Sequence, residues 1–563
     1  MHSKKRRMMF RLLSLSLFGG LVIFASAVLR DTGLKDTVSR DATPRVARAA
    51  PSIETPGPAF VDWKRGIEKQ NNAAKDAKKE ITAASFSPEV VFPLFADDSG
   101  YVRDTVFAAL EKSTSDTELL ALAQGLLHSE PLVAENIAEL FGNRKLPGSG
   151  PLLAKAVLRS QFTEAREWML HSLMQIDPAL AAETAATLWK KEKRDWRVRG
   201  ESLVVLAECA SDKGRAQIEE ALREKKILPL RIAGLVALRI QEGGSVQAFD
   251  AAMAQLESPP KDKSGVWGPR LEVFALEVLS GFPAHEIPRE KLVRAIDLLI
   301  PSIDEAKGRA RVARLEALAE ITGEKGLTST VHWRSWWSAK RESWEPGVAS
   351  DRAGGGAKPP GDAKGDDKKP STRVVNFHGI PVDSERVTFL QDLSGGMSRN
   401  FAGDSGGAGP TRLDHAKDEL ERVLGLLDDR TWVNVITFAS SYFAPHKEPQ
   451  LLKRARKPLV RFCREQEIPT APGHARGNVY DALVYAATSP YVDTIYLVSE
   501  GAPTEGKYHD YDRFLKHFIR ENRFYGARVH VLLVAETGGR NRNFLAELSK
   551  STGGKMQAIT TEQ

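Results

Sequence analysis

Val387-Thr388-Phe389-Leu390-Gln391-Asp392-Leu393-Ser394-Gly395-Gly396-Met397-Ser398 decides the fold of the second half of this chain. Its first residues are β-branched, aromatic and aliphatic, a short apolar run of strand length that stops at a turn signal. The run delivers the Asp392 carboxylate and the Ser394 and Ser398 hydroxyls to a glycine-rich turn. Hard oxygen donors gathered where a strand ends suit a divalent cation, and ligands collect at the carboxyl ends of strands in open parallel sheets.

Outward from this stretch, strands and helices alternate. Strands are predicted over Arg386 to Gln391, Trp432 to Ala439, Thr494 to Val498, Arg528 to Ala535 and Lys555 to Ile559. Amphipathic helices are predicted over Leu413 to Leu427, Leu451 to Arg464, Val479 to Ala487, Tyr511 to Asn522 and Asn543 to Ser551. Such alternation predicts an α/β domain with a doubly wound, mostly parallel sheet. Three further stretches are Thr411-Arg412-Leu413-Asp414-His415-Ala416-Lys417, Val433-Asn434-Val435-Ile436-Thr437-Phe438, and Asp493 to Thr504 with its Ser499-Glu500-Gly501. Together with the opening stretch they make residues 373–563 resemble the von Willebrand factor type A family, a Rossmann-like fold.

That resemblance implies a magnesium or manganese ion held by an Asp-x-Ser-x-Ser loop, a threonine of a second loop and carboxylates near by, with a partner protein's acidic residue supplying the last oxygen. Asp392 and Ser394 match the motif, whereas Gly396 stands where its second serine belongs. In Ala475-Arg476-Gly477-Asn478-Val479-Tyr480-Asp481, Gly477 takes the threonine's place beside a cationic Arg476. Glu500 replaces the family's aspartate, reaching about 1.5 Å further by one carbon-carbon bond. The remaining candidate ligands are therefore Asp392, Ser394 and Glu500, with Ser398 or Asn478 as substitutes. Losing a single supporting partner weakens a metal site about 10- to 100-fold, and here two direct oxygens are missing. The expectation is a degenerate site, with no cofactor or only weakly bound Mg2+ or Mn2+, in which Asp392 and Ser394 cap backbone groups of their own loop.

Gly403-Asp404-Ser405-Gly406-Gly407 spells the nucleophile loop of chymotrypsin-like proteases. That chemistry needs a histidine and a buried aspartate on an upstream β-barrel, and nothing upstream is all-β. Ser405 is thus expected in a flexible loop. Neither a His-Glu-x-x-His zinc motif nor a Walker-type phosphate loop occurs, so the chain is expected not to be an enzyme.

The first half carries a different period. Apolar residues recur at helical offsets from Val102, Val133, Ala165, Val198, Leu230, Leu271 and Val312, starts that lie 31, 32, 33, 32, 41 and 41 residues apart. This spacing accommodates one helix pair per unit, and a pair buries its apolar stripe only by stacking on neighbours. With arginines early in several helices (Arg103, Arg166, Arg199, Arg231, Arg270, Arg311), residues 84–345 are similar to HEAT-type repeats and predict an α-solenoid. Trp333, Trp336, Trp337 and Trp344 are expected to cover the last unit's core. Residues 31–83 read as a polar stalk or linker with a short helix near Asp62 to Thr82, and residues 346–372 as a Gly/Pro/Lys-rich linker.

At the N-terminus, Lys4, Lys5, Arg6, Arg7 and Arg11 precede an apolar run from Leu12 to Leu29 that ends near Ala25-Ser26-Ala27. Residues 1–30 read either as a cleaved signal peptide or as a membrane anchor, and both place the rest of the chain outside the inner membrane, in the periplasm or at the cell surface. The net charge of +7 derives largely from this segment and the lysine-rich spacers, which argues against nucleic acid as a partner. The two cysteines, Cys209 and Cys463, fall in different domains and are expected as separate core thiols. The partners expected are proteins, in an adhesion or scaffold role at the cell envelope.

Overall fold

Between Pro58 and Lys340 every regular element is helical, and the strands begin only at Asn376. The computed structural model describes residues 58–83, 86–113, 115–242, 245–347, 374–400, 409–471, 473–501, 503–534 and 539–559. The signal segment 1–30, the linker from 348 to 372 and Ser405 lie outside them. Among the described residues no helix is long and apolar enough to cross a membrane.

The helices are α1 (Pro58–Ala83), α2 (Pro88–Phe95), α3 (Gly100–Ser113), α4 (Asp116–Ala121), α5 (Pro131–Asn143), α6 (Gly150–Val157), α7 (Thr163–Ile176) and α8 (Pro178–Lys191). They continue as α9 (Trp196–Glu208), α10 (Asp212–Leu222), α11 (Pro229–Glu242), α12 (Val246–Glu257), α13 (Trp267–Ser280), α14 (Arg289–Leu299), α15 (Gly308–Thr322) and α16 (Thr330–Lys340). Their starts follow capping chemistry: Asp195 accepts from the Arg197 and Val198 amides ahead of α9, and proline opens α2, α5 and α8. From α3 to α15 the odd-numbered helices pack side by side in chain order, and α6, α8, α10, α12 and α14 each lie against a member of that row. Two apolar cores result, and α9 joins them, sending Val198, Val205 and Leu206 into one and Leu203, Val204 and Ala207 into the other. At the far end Trp333, Trp337 and Trp344 are buried, with the Trp337 indole donating to Asp297 at 2.7 Å.

The arginines singled out by the sequence divide by role. Arg199 stacks on Trp189 at 4.3 Å, Arg231 reaches Gln255 and Arg311 the Thr328 carbonyl, so these tie helices to their neighbours. Arg103 and Arg270 reach further, to the carbonyls of Gly506 and Lys507 and of Ser489 and Pro490 in the second half of the chain.

That second half starts with a hairpin, β1 (Asn376–Phe377) and β2 (Ile380–Pro381). There follow β3 (Arg386–Asp392), α17 (Arg412–Leu426), β4 (Trp432–Phe438), β5 (Tyr442–Phe443), β6 (Gln450–Leu451), α18 (Leu452–Glu465) and α19 (Val479–Ala487). β7 (Thr494–Ser499), α20 (Tyr511–Asn522), β8 (Arg528–Leu533), α21 (Arg540–Ser551) and β9 (Met556–Ala558) complete it. The sheet runs β5-β4-β3-β7-β8-β9, with β6 also paired to β4; β4, β3, β7, β8 and β9 are parallel, and β5 and β6 are antiparallel. Alternate residues serve opposite faces: Phe389, Val435 and Tyr496 meet Leu420 and Leu459 of α17 and α18, whereas Leu390, Ile436 and Leu497 meet Leu483, Phe514 and Leu545 of α19, α20 and α21.

α20 turns most of its polar residues inward and leaves Asp512 and Ile519 exposed. Phe514 and Phe518 point to the sheet, and Arg513, His517, Arg520 and Glu521 are buried against the helical rows. Arg513 donates to Asp104 at 2.5 Å, to Asn136 at 2.7 Å and to Glu139 at 2.6 Å. His517 lies 2.9 Å from Glu139 and accepts from the Trp168 indole at 3.0 Å, while Glu521 pairs with Arg197 at 2.7 Å and Arg523 with Glu201 at 2.9 Å. Burial pushes the Glu135 and Glu139 carboxyls up, but Lys507 beside the first, Arg513 beside the second and His517 beside both reverse this and hold them well below the usual range. Ile53–Gln563 consequently forms one compact unit.

Within the expected polar stalk, the short helix predicted near Asp62 to Thr82 runs over Pro58–Ala83, 26 residues. α1 lies against α2, α3 and the Gly395–Ser398 turn. Over residues 67–79 it buries only Gln70, Ala74 and Ala77.

Candidate functional site

The strand order changes direction at β3, whose neighbours β4 and β7 are reached by connections running opposite ways along the sheet. The carboxyl ends of β3 and β7 therefore flank the crevice where ligands of such sheets collect. Asp392 ends β3 and Ser499 ends β7, in parallel strands whose register pairs Gln391 with Val498. Glu500 follows at once, and the turn Gly395–Ser398 folds over it.

Each predicted residue is occupied locally. One Asp392 carboxylate oxygen accepts from the Ser394 amide at 2.7 Å and the other from the Ser499 hydroxyl at 2.8 Å. Burial raises the Asp392 pKa, with these hydrogen bonds opposing it. Ser394 is buried in the same loop. The Ser398 hydroxyl donates to the Gly395 carbonyl at 2.6 Å, closing its own turn. Asn478 caps α19, accepting from the Asp481 amide at 3.2 Å and donating to the Asp481 carboxylate at 2.8 Å. Gly477 donates its amide to the Thr504 hydroxyl at 2.7 Å and brings no oxygen but its carbonyl, which accepts from the amides of Thr504 and Glu505. Arg476 pairs with Glu505 at 2.7 Å.

The decisive geometry is at Gly396. Its backbone is not left-handed, so space rather than φ excludes a side chain. A Cβ built there collides with the Glu500 carboxylate. The extra methylene of Glu500 thus fills the volume that a second serine would use, and the two departures from the motif fit each other. Arg412, the first residue of α17, is buried and donates to Glu500 at 3.0 Å and to the Gly396 carbonyl at 3.4 Å. Burial and the neighbouring Asp392 raise Glu500 to about 7, against the pull of Arg412 and Arg399.

This donor set does not fit a divalent cation. Both Asp392 oxygens already accept hydrogen bonds, Gly396 and Gly477 bring no hydroxyl, and a guanidinium beside Glu500 supplies positive charge. Nor does any group of three or more His, Cys, Asp or Glu side chains among the described residues form a metal-binding cluster. The sequence flagged Asp392, Ser394 and Glu500 but not Arg412. The available signal was a cation opening the helix that follows the loop, paired with a carboxylate one methylene longer than the family's.

A cavity of about 470 Å3 lies at the opposite end of the sheet, between α13, α15 and the starts of β3 and β7, and holds none of these residues. Its lining mixes Arg270, Arg309, Arg314 and Arg386 with Glu272, Glu385 and Asp493, a gap in the seam rather than a convergent site.

No known protein-family profile matches the chain, and no curated protein matches it. Among solved structures it is similar to the D319A mutant of the PilB minor pilin from Streptococcus sanguinis, at 13% identity and a TM-score of 0.25. That similarity covers 31% of this chain and 57% of the pilin chain, so it spans little more than half of the pilin's length.

Proposed function

We propose that the chain is a non-enzymatic protein-binding component of the cell envelope, exported or anchored through residues 1–30. In this reading the two helical rows are a HEAT-like solenoid and residues 373–563 a type A domain whose loop end works without a metal ion. The strand order, with Asp392 and Glu500 at the change of direction, supports the domain assignment. The observation that carries the metal-free reading is the fit of Gly396, Glu500 and Arg412, in which an internal guanidinium takes the role of the cation. Recognition at this end then runs through hydrogen bonds and charge at the protein surface rather than through a shared ion.

Calorimetric titration of the chain lacking residues 1–30 with magnesium and with manganese tests this. No saturable heat is expected at millimolar ion. Saturable binding that disappears in Asp392→Asn would replace the proposal with metal-dependent adhesion through Asp392, Ser394 and Glu500. Affinity capture from envelope extracts should recover the same protein partners with and without chelator.

A further inference from the structure

The α/β half turns one helical layer inward and the other outward. α20 carries the buried pairs that hold it to the helical rows, whereas α17 and α18 cover the opposite face of the sheet. On α17 the exposed charges are of both signs, Asp414, Asp418 and Arg422. α18 differs: Lys453, Arg454, Lys457, Arg461 and Arg464 are all exposed, and Glu465 is its one acidic residue. At 3.6 residues per turn these five cations fall within about 100° of arc, in a stripe about 16 Å long. Leu452, Ala455, Leu459 and Cys463 occupy the other side of the helix and are buried against the sheet, so packing fixes which way the stripe faces.

The fold itself makes little use of this charge. Arg464 pairs with Asp418 at 2.9 Å and Arg461 with Glu465 at 2.7 Å, both toward the end of the helix. Lys453, Arg454 and Lys457 have no carboxylate partner among the described residues. They stand in the first turns of α18, where the helix dipole already presents positive charge, so the helix gains nothing from them. β5 borders α18 at the edge of the sheet. Its Phe443 lies on the α18 side, with ring centroids 5.6 Å from Phe462, and is 62% exposed. Cations with an apolar ring at their rim match the surface of an anionic bilayer, where Lys and Arg draw in headgroup phosphates and the ring enters the boundary beneath them. An acidic protein would answer the cations alone.

We infer that the α18 face, with Phe443 at its edge, docks the α/β half onto a bilayer of anionic phospholipid. Because the apolar side of α18 is already buried in the domain, the helix lies on the headgroups rather than among the acyl chains. The inference rests on the exported or anchored reading of residues 1–30, which brings the chain to such a surface. Residues 31–57 separate that segment from α1, and 27 residues span at most about 90 Å when fully extended. Held within that distance, the face meets headgroups at a high local concentration, and a contact of low intrinsic affinity suffices.

The test uses the chain from residue 31, because residues 1–30 would enter a bilayer by themselves and the compact unit begins at Ile53. Co-flotation is measured with vesicles of phosphatidylethanolamine containing one third phosphatidylglycerol, and with neutral phosphatidylcholine vesicles. The anionic vesicles should bind about tenfold more tightly or better, and progressively less as salt is raised. Lys453→Gln, Arg454→Gln and Lys457→Gln together should weaken this about a hundredfold, at about fivefold per cation, without moving the urea midpoint. Should the midpoint move, Lys457→Gln alone decides, with a loss of about fivefold. Phe443→Ser should weaken vesicle binding several-fold and leave binding of poly-glutamate unchanged. The same three replacements at the exposed Lys190, Lys191 and Lys193 of the first half should leave vesicle binding unchanged. Equal binding to neutral and anionic vesicles, or equal losses from the two triple variants, would overturn the inference. So would binding of poly-glutamate through α18 without binding of vesicles, which would make the face a site for acidic protein. Because the tested chain lacks residues 1–30, its failure to bind vesicles removes this inference and leaves the export reading standing, which is checked separately by whether cells cleave or retain that segment.

Discussion

The α/β half is covered by its own chain in two places, and the two covers are built from opposite chemistry. Along α20 the helical rows meet it with buried polar pairs, the charges of Arg513 on Asp104 and Glu139 and of Glu521 on Arg197, and the His517 imidazole against Glu139. Across the loop end α1 meets it through the uncharged amide of Gln70, which reaches Thr504 and Arg476. A buried ion pair is strongly destabilising to break because the surviving partner is left charged and desolvated, whereas parting an uncharged amide from its partners strands no charge. The first cover strands charge when it is broken and the second does not.

The sharpest way to break this contrast is Arg513→Ala, which takes the buried guanidinium from Glu139 and Asp104 and should lower stability by about 3 kcal/mol in urea unfolding. Arg412→Ala leaves Glu500 buried without its partner and should cost about 3 kcal/mol. The double change Arg412→Met with Glu500→Gln should cost clearly less than Arg412→Ala, since no charge is stranded, and an additive loss in the double-mutant cycle would refute the pairing.

Glu500 also predicts a pH dependence. Its carboxyl binds a proton more tightly in the folded chain, up from 4.5 to about 7, so its contribution to stability is full below pH 4.5 and is lost as pH rises through 7. Between pH 5 and 8 the parent should lose about 2 kcal/mol through this group, at about 1.4 kcal/mol per pKa unit. Glu500→Gln should flatten that slope. Glu167 adds to it in the same direction, because burial and three further carboxylates, Glu521, Glu201 and Glu164, raise it against the pull of Arg197.

Gly396→Ser tests the fit at the turn and should cost about 1 to 3 kcal/mol by overpacking against Glu500, with Glu500→Asp in the same chain recovering most of the loss. The smallest effect belongs to Gln70→Ala, which should change global stability by about 1 kcal/mol or less in urea unfolding, since an uncharged amide leaves no charge behind.

Much of the sheet half was legible in the sequence. Val479–Ala487 and Tyr511–Asn522 are helices over the predicted residues, and the five parallel strands fall within two residues of their predicted bounds, because two-sided burial imposes continuous apolar runs that composition reveals. The short pairs β1, β2, β5 and β6 were not legible, since two residues carry no period. The helix near Asp62 to Thr82 was legible inside the polar segment, but its packing against α3 and the loops was not.

By itself, the sequence determined a helical first half, a parallel sheet in the second, and the collection of Asp392, Ser394 and Glu500 at the ends of two strands. Periodicity and strand order act through local chemistry, which a linear text preserves. Only the tertiary structure decided that Glu500 fills the space above Gly396, that Arg412 answers its charge, that the polar face of α20 is buried and that α1 lies over the loops. Those are contacts between residues 16 to more than 400 positions apart, and no local pattern encodes which side chain will meet which.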